Sequence, residues 1–167
     1  MARTKYKIRK AGFTDTGAIF ALIKKHPREL VPRPLSDIVQ NIDRFLVCEC
    51  RTKIVGAVSW AILPEIGKVA HPTVEIKSLA VEKLFRGRGI GRDLVQAAIE
   101  RISLLRPEHM IVLTFSPDFF QKFGFVEIPK ETIMHKLYSG CVNCSKYDSP
   151  FTCPEVAMSL SVPRSKA

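Results

Sequence analysis

The sequence has no long apolar run, so a membrane-spanning helix is not expected. Its longest mostly apolar stretch, residues 54–63, is interrupted by Gly56 and Ser59 and is far shorter than the roughly 20 residues that such a helix needs. The basic N-terminal segment is not followed by the apolar stretch of a secretion signal. We therefore expect a cytoplasmic protein with no membrane partner.

Acidic residues are also scarce: 16 Asp and Glu stand against 26 Lys and Arg, and the net charge is +10. A positive field of this kind attracts nucleic acid, phosphates or acidic metabolites. The sequence contains no helix-turn-helix pattern, RNA-binding aromatic signature or complete zinc finger, so nucleic acid is not the expected partner. Part of the charge lies at the chain ends, where a solvated tail accounts for it. Three arginines, Arg86, Arg88 and Arg92, lie instead in one glycine-rich segment.

The five cysteines make an odd count in a chain without an export signal, which excludes a complete disulfide framework. Reduced thiols that pack a loop are one interpretation. A structural zinc ion is the alternative, because Cys141 and Cys144 have the close spacing of a zinc knuckle and Cys153 follows them. The residues considered for the fourth ligand are His135, Cys48 and Cys50.

The length of 167 residues and the hydrophobic content of 46% predict a single domain over residues 1–167, with its motifs in about 5–162. Strand and helix patterns alternate along it. A helix is expected after Thr14 or Asp15, a second from Ser36, and a third with an apolar stripe from Ile90 to Ile102. A short helix is expected at 117–123, ended by Gly124. The expected strands are 5–11, 45–50, 54–63, 74–81, 110–115 and 155–162, which together indicate an α/β sandwich around one sheet.

The most informative segment lies between the strand that ends at Val81 and the amphipathic helix, and it reads Arg86-Gly87-Arg88-Gly89-Ile90-Gly91-Arg92. Glycines let backbone N–H groups approach an anion, and a helix N-terminus adds unpaired donors and partial positive charge. The segment therefore predicts a pyrophosphate site, to which the arginines add charge-assisted contacts. Its spacing differs from the dinucleotide motif, and no Lys-Ser/Thr pair follows, so NAD and ATP are disfavoured. The alternative is a plain glycine turn made soluble by arginines.

These residues resemble a known family. The run from Arg86 to Gly91 resembles the Arg/Gln-x-x-Gly-x-Gly/Ala coenzyme A signature of the GNAT superfamily of acetyltransferases. A strand reading Ser-Leu-Ala-Val precedes it at 78–81, and the segment 120–125 is similar to the aromatic-x-x-x-Gly-Phe motif of that superfamily. Within the superfamily, about residues 28–161 resemble the acetyltransferase domain of N-acetylglutamate synthases in a stand-alone form. The segments that carry this narrower resemblance are 30–33, 75–77, 112–115 and 155–158.

The resemblance implies a GNAT fold: a mixed, mostly antiparallel twisted sheet flanked by helices and splayed between the fourth and fifth strands, near Val81 and Phe115. It implies transfer of an acetyl group from acetyl-CoA to the α-amine of a small acidic amino acid by direct attack in a ternary complex. L-glutamate is the expected acceptor, as in the first step of arginine synthesis. Another small amine, a protein N-terminus or a non-catalytic acetyl-CoA-binding module are the alternatives. The oligomeric state is left open, with a homodimer as one option.

Attack by an amino acid on a thioester needs a base, because the amine is protonated near neutral pH. Glu75 is the candidate, since an extended strand places it on one face with Lys77, Leu79 and Val81. The resemblance implies that Glu75 is the base and that the backbone near Leu79, Ala80 and Val81 binds the acetyl carbonyl and the pantetheine arm. The alternative is a surface ion pair of Glu75 with Lys77 or a neighbouring strand.

The leaving thiolate needs a proton, which many GNAT enzymes take from a tyrosine that aligns here with Phe120. Because Phe120 has no hydroxyl, it is expected only to contact the coenzyme. The synthase-like pattern implies Ser116 as the acid. A helix cap formed by Ser116 ahead of Pro117 is an equally weighted alternative. Tyr138 is a less specific candidate.

Arg33 and Lys77 are the cations expected to bind the carboxylates of the acceptor, since a guanidinium group offers two parallel donors. The resemblance adds Leu30 and the backbone near Ser78 to the amino-acid pocket. The arginine that the family has near its last strand has no counterpart in residues 152–155, so the selection of glutamate over glutamine or aspartate stays open. The alternative for Arg33 is a solvated loop charge.

Overall fold

The computed structural model describes residues 5–68, 70–141 and 144–163. The strands within them are β1 (Lys7–Lys10), β2 (Phe45–Cys50), β3 (Lys53–Lys68), β4 (His71–Val81), β5 (His109–Thr114), β6 (Val126–Glu127) and β7 (Val156–Ser161). The α-helices are α1 (Thr16–Lys24), α2 (Leu35–Gln40), α3 (Ile90–Ser103), α4 (Pro117–Gln121) and α5 (Met134–Lys136). Short 3₁₀ turns occupy Phe13–Asp15, Ile42–Arg44, Lys83–Phe85 and Lys130–Ile133, and a π-helical turn occupies Leu137–Cys141. The strand order is β1-β2-β3-β4-β5-β7-β6.

The chain folds as two compact units. The first comprises the residues up to Trp60 together with Ile76–Arg101, and the second comprises Ala61–Glu75 and the residues from Ile102 onward. Strands β3 and β4 contribute residues to both units.

In the first unit, β1 and β2 pair antiparallel, with Lys7 opposite Glu49. The predicted antiparallel hairpin of β2 and β3 is confirmed, with Phe45 opposite Ser59 and Cys50 opposite Lys53. One apolar face of α1 packs with α2 and the sheet, and its removal from water stabilises the fold by about 1.5–3 kcal/mol for each large side chain. The buried residues of this cluster are Ile19, Leu22, Ile23, Ile38, Ile42, Phe45, Val47, Ala57 and Ala80.

Helix α3 carries the predicted apolar stripe, and all five of its members are buried: Ile90, Leu94, Val95, Ala98 and Ile102. Gly56 on β3 lets this helix approach closely. A Cβ atom at Gly56 would lie 2.9 Å from Leu94 Cδ1 and 3.1 Å from Ile90 Cγ2. A larger residue at this position would therefore force the packing of Leu94 and Ile90 against the strand to shift.

In the second unit, β5 and β7 pair antiparallel from His109 opposite Ser161 to Thr114 opposite Val156, and β6 pairs antiparallel with β7. Strands β4 and β5 are parallel and pair only at Val74–Met110 and Glu75–Ile111 within the residues described. The ladder between the fourth and fifth strands is therefore short, and their splay near Val81 and Phe115 stays a prediction. Buried Ile111, Ile133, Leu137 and Ala157 form an apolar cluster in this unit.

The predicted elements agree with the observed ones to within a few residues at their ends, except that β3 continues to Lys68. The first helix begins at Thr16, after a 3₁₀ turn that contains Asp15. The second begins at Leu35 rather than Ser36, because extended Pro34 takes the cap position. Strand β6 and the helical segment 130–141 were not predicted. No helix in the described ranges is long and apolar enough to span a membrane.

Candidate active site

The glycine-rich turn forms the entry to α3 in the first unit. Gly87 and Gly89 have φ angles of 75° and 85°, a left-handed conformation that costs other residues about 1–2 kcal/mol. The Asp93 N–H donates to Gly89 O at 3.0 Å, which closes the first turn of the helix. The N–H groups ahead of it have no acceptor inside the helix. The turn thus has the backbone shape and the partial positive charge that a diphosphate requires.

Arg86 belongs to this turn, and hydrogen bonds hold its side chain in place. Its guanidinium forms two hydrogen bonds with the Glu29 carboxylate, at 3.2 and 2.8 Å, and Nε donates to Val81 O at 3.2 Å. Nη2 also lies 3.0 Å from Nδ1 of His26. The Arg86 hydrogen bonds lower the pKa of Glu29, and burial, followed by the Arg86 charge, lowers the pKa of His26. The Arg86 side chain therefore fixes the position of the turn. The backbone of the turn is the part that is suited to bind an anion.

The two other arginines of the turn extend over its surface. Arg92 donates from Nε and Nη2 to the Asp93 carboxylate, both at 3.1 Å. The guanidinium of Arg88 lies over the Phe85 ring in a cation–π contact, 5.3 Å from the ring centre. Both side chains are exposed to solvent.

The end of β4 in the first unit carries a strained residue. Ser78 has a φ of 55°, which a residue with a side chain adopts at a cost of about 1–3 kcal/mol, usually at a functional position. The neighbouring Leu79 and Val81 are half-buried, whereas Ala80 is buried in the apolar cluster. The carbonyl of Lys77 accepts a hydrogen bond from Ser59 Oγ at 3.3 Å.

Arg33 lies against this strained residue, so two predicted substrate-binding residues are in contact. Arg33 Nη1 donates to Ser59 Oγ at 2.9 Å and to Ser78 Oγ at 3.2 Å, and Nε donates to the Asp37 carboxylate. The guanidinium also lies 5.0 Å from the centre of the Phe45 ring. Because the side chain is only 10% exposed, Arg33 is not a solvated loop charge. Leu30, the fourth predicted pocket residue of this unit, is half-buried beside the same apolar cluster.

Glu75 belongs to the second unit and is buried, with 5% of its surface exposed. The Nζ atom of Lys136 lies 2.9 Å from Glu75 Oε2 in an ion-pair contact that lacks the angles of an aligned hydrogen bond. Lys136 is itself 8% exposed. The ion pair is therefore buried, and its cation differs from the surface partner considered on the sequence.

Glu155 precedes β7 and is a second carboxyl group of this region. Burial raises its pKa, and the charge of Glu75 adds to the rise. The Cys153 thiol donates to Glu155 Oε2 at 3.7 Å. Sequence reasoning gave neither Glu155 nor Lys136 a role: Glu155 was only part of the segment 155–158 that carries the resemblance, and Lys136 lies in no motif.

Ser116, the predicted acid, is exposed and precedes α4. Its hydroxyl makes no capping hydrogen bond to the helix. Its backbone is engaged instead: its N–H donates to Thr114 Oγ1 at 2.9 Å, and its carbonyl accepts from Phe119 N at 3.1 Å. The structure therefore gives the hydroxyl no role as the side-chain cap of α4.

Phe120, which was predicted to contact the coenzyme, is 6% exposed. Its ring packs edge-on against Phe119 at 5.1 Å and against Phe125 at 5.7 Å. This stacking accounts for the burial of Phe120. Gly124 has a φ of 90°, so the predicted glycine stop after α4 is confirmed.

All five cysteines are free thiols. Burial raises the pKa of Cys48 to about 12 and also raises the pKa values of Cys141 and Cys153. Metal ligation and nucleophilic attack both need the thiolate. Among the residues that the structure describes, no group of three or more His, Cys, Asp or Glu side chains is arranged to hold a metal ion. The zinc alternative, which named Cys141, Cys144 and Cys153, therefore lacks a ligand set there.

Comparison with known proteins adds to this geometry. The model of the acetyltransferase (GNAT) domain family matches residues 41–127. An uncharacterized N-acetyltransferase of Chlorobaculum tepidum is 33% identical over 153 residues, which are 90% of this chain and 93% of that protein. An amino-acid acetyltransferase of Mycobacterium tuberculosis is 27% identical over 146 residues, 84% of this chain and 79% of that protein.

A solved structure shows the same fold. N-acetylglutamate synthase from Neisseria gonorrhoeae, complexed with coenzyme A and N-acetyl-glutamate, matches with a TM-score of 0.78 at 17% identity. The match covers 98% of this chain and 36% of the synthase chain. The predicted fold class, a mixed sheet flanked by helices, is confirmed.

Proposed function

This chain belongs to the GNAT acetyltransferase family, and from that premise we propose that it acetylates the α-amine of a small acidic amino acid. Acetyl-CoA is the donor and L-glutamate is the first candidate acceptor, as in the first step of arginine synthesis. One GNAT domain over residues 1–167 and a cytoplasmic location are parts of the same proposal.

The observation that carries the proposal is the turn at the start of α3. Its two left-handed glycines and the unpaired N–H groups of a 14-residue helix suit the diphosphate of coenzyme A. The N-acetylglutamate synthase of similar fold was solved with coenzyme A. Residues 86–92 are therefore the proposed coenzyme site, together with the backbone of Leu79, Ala80 and Val81 and the ring of Phe120.

The acceptor half of the proposal rests on Arg33. Its guanidinium is held in place by Asp37, Ser59 and Ser78, and within the described residues Nη2 makes no hydrogen bond. A fixed guanidinium with an available donor suits a carboxylate. The relatives point the same way, since one is an amino-acid acetyltransferase and the synthase was solved with N-acetyl-glutamate. Leu30, Lys77 and Ser78 are the other proposed acceptor-binding residues.

In the proposed reaction, Glu75 takes a proton from the ammonium group of the amino acid. The freed amine nitrogen attacks the thioester carbon, the N–C bond forms and the C–S bond breaks. The coenzyme A thiolate then takes up a proton, for which Ser116 is the proposed donor. The attacking nitrogen loses its second proton as the tetrahedral intermediate collapses, and this proton restores the Ser116 hydroxyl. The net change is one proton held by Glu75 and then released to solvent, with no covalent enzyme intermediate.

A thiol-release assay tests the proposal. Acetyl-CoA is incubated with L-glutamate, L-glutamine, L-aspartate, a peptide with a free N-terminus or no acceptor, and the free thiol of coenzyme A is measured. We expect saturable release with L-glutamate. Release with the peptide alone would favour the protein N-terminus as acceptor. Tight binding of coenzyme A without release by any amine would favour a non-catalytic binding module.

The Glu75→Gln variant tests the base in the same assay. We expect kcat to fall about 10²- to 10⁴-fold, the usual contribution of a general base, with little change in the Kd of coenzyme A. Glu127→Gln on the exposed strand β6 is the matched control and should retain full turnover. Unchanged turnover in Glu75→Gln would remove Glu75 as the base.

A further inference from the structure

The buried ion pair of Glu75 and Lys136 has no place in the reaction as described so far. Both side chains are more than nine-tenths buried, and Nζ lies 2.9 Å from Oε2. A buried carboxylate loses the solvation that favours its charged form, and a close cation restores part of it. Removing one member of a buried pair is far more costly than losing an exposed one. Lys136 is therefore a cation in direct contact with the buried carboxyl group of Glu75.

Among the described residues, the titratable groups that interact with Glu75 besides Lys136 do not replace that cation. Cys141 follows α5 and Glu155 precedes β7, and both interact electrostatically with Glu75. Burial raises the pKa values of both groups, and neither carries a positive charge in any state. Lys130 donates to the carbonyls of Pro150 at 2.9 Å and Cys153 at 2.6 Å. Its ammonium group is therefore hydrogen-bonded to these two carbonyls.

A glycine in the turn after α5 leaves room for the ammonium group of Lys136. A Cβ atom at Gly140 would lie 2.6 Å from Lys136 Nζ, too close for any real contact. The lysine side chain would have to move its charged end to accommodate an alanine there. Gly140 is exposed, so the clash would fall on the lysine rather than on the apolar core.

We propose that Lys136 is a positioning residue that keeps the buried Glu75 carboxylate ionised and correctly oriented to act as the base. Its importance for turnover rests on the proposed function, whereas its effect on the charge of Glu75 does not. Loss of the cation would favour the neutral form of the buried carboxyl group, which cannot act as a base. Arginine at position 136 would keep the charge.

The activity arm of the test compares the wild type with Lys136→Met and Lys136→Arg. We expect Lys136→Met to lower kcat/KM at neutral pH about tenfold or more, since desolvation and lost charge pairing both favour the neutral carboxyl. The loss should shrink as the pH rises, because alkaline solution ionises Glu75 again. Lys136→Arg should recover most of the activity, and Lys122→Met, which removes an exposed lysine, should change nothing. A loss in Lys136→Met that is the same at every pH would overturn the proposal.

The second arm needs no turnover. Carbon-13 NMR of glutamate-labelled protein at neutral pH gives the Glu75 carboxyl resonance, identified by its loss in Glu75→Gln. We expect the chemical shift of an ionised group in the wild type and Lys136→Arg, and that of a protonated group in Lys136→Met. Gly140→Ala should cause a smaller change in the same direction, and it serves if Lys136→Met does not fold.

The activity assay tests the proposed function, and the NMR measurement tests the role of Lys136 independently of it. If no amino acid is acetylated by the wild type, the proposed function fails while the resonance still decides the role of Lys136. If glutamate is acetylated but Glu75 stays ionised in both Lys136→Met and Gly140→Ala, the role assigned to Lys136 is wrong and the function stands.

Discussion

Arg33 illustrates how a single side chain combines several interactions in the proposed acceptor site. It is bonded to a carboxylate and two hydroxyl groups and stacked on Phe45. A guanidinium held by this many contacts loses little conformational entropy when it binds a carboxylate. A lysine has the same charge but offers neither the planar fork nor the stacking surface.

We therefore predict that Arg33→Lys raises the KM of the acceptor amino acid about 10- to 100-fold, which corresponds to the 1.5–3 kcal/mol of a hydrogen bond to a charged group. The effect on the KM of acetyl-CoA should be small. Steady-state kinetics with each substrate varied in turn provides the measurement. Arg28→Lys, at an exposed position in the same connection, is the control. An unchanged acceptor KM would exclude Arg33 from the pocket.

At the residue scale, the sequence predicted those side chains that lie in motifs. Glu75 was singled out from its strand, and Arg33 from its chemistry and the resemblance. Their partners were not predictable, because Lys136 is distant in sequence from Glu75 and the segment 130–141 has no clear apolar period. Its short 3₁₀, α and π turns follow tertiary packing more than local propensity.

Among the elements, the glycine turn and α3 were predicted best, because glycine spacing and a 3.6-residue period are strong local signals. Strand β6 was missed since it has only two residues, both exposed. The start of α1 was displaced by a 3₁₀ turn that Asp15 stabilises through contacts with Arg9 on strand β1. Local propensity does not encode such contacts.

The turn supports a prediction on its glycines. Gly89→Ala should destabilise the protein by about 1–2 kcal/mol, the cost of a left-handed alanine, and should weaken coenzyme A binding. Gly17→Ala is the matched control: it lies in α1, and its Cβ would meet nothing within 4 Å, so it should stabilise the helix by up to about 1 kcal/mol. Urea unfolding and calorimetry measure both effects. Equal stability and affinity in Gly89→Ala would contradict the assigned geometry.

Asp15 joins β1 to the turn before α1. Its carboxylate accepts from Arg9 Nη1 at 2.7 Å, Arg9 Nη2 at 2.9 Å and Gly12 N at 2.8 Å. The Arg9 hydrogen bond lowers the pKa of Asp15 below its ordinary value of 3.8. Because the folded pKa is depressed, the stabilisation is fully present above the ordinary value and is lost as the pH falls through the folded one.

Asp15→Asn should therefore lower the free energy of unfolding by about 1–3 kcal/mol near neutral pH. The difference from the wild type should shrink in acid, below the ordinary aspartate pKa of 3.8. Urea unfolding at a series of pH values provides the measurement, with Asp43→Asn at an exposed position as the control. A difference that stays constant down to strong acid would show that the charge of Asp15 is not the source of the stability.

For the molecule as a whole, the net charge of +10 and the pI of about 9.6 suit the anionic ligands that we propose. Coenzyme A carries several phosphate charges and the proposed acceptor carries two carboxylates, so a positive field favours the approach of both. Composition alone predicted an anionic partner. It could not separate a polyanion from a metabolite, and the backbone of the 86–92 turn favours the latter.

The diphosphate contact leads to a prediction on thermal stability. A ligand at 100 times its Kd adds about 2.7 kcal/mol to the free energy of unfolding, and in a protein of this size each kcal/mol raises Tm by about 2–4 °C. Acetyl-CoA should therefore raise Tm by about 5–10 °C, as measured by differential scanning calorimetry. Acetyl-pantetheine, which has the thioester arm but no diphosphate, should raise it far less at the same concentration.

Repeating that experiment at two salt concentrations separates the electrostatic contribution to acetyl-CoA binding from the contribution of the apolar arm. At 1 M ionic strength the Debye length is about 3 Å, compared with about 10 Å at 0.1 M. The Tm increase caused by acetyl-CoA should fall at the higher salt concentration, whereas a contact made mainly by the apolar arm would persist. Because Gly89→Ala disturbs only the turn, it should reduce the shift for acetyl-CoA and leave the small shift for acetyl-pantetheine unchanged. Equal shifts for the two ligands in the wild type would mean that residues 86–92 do not bind the diphosphate.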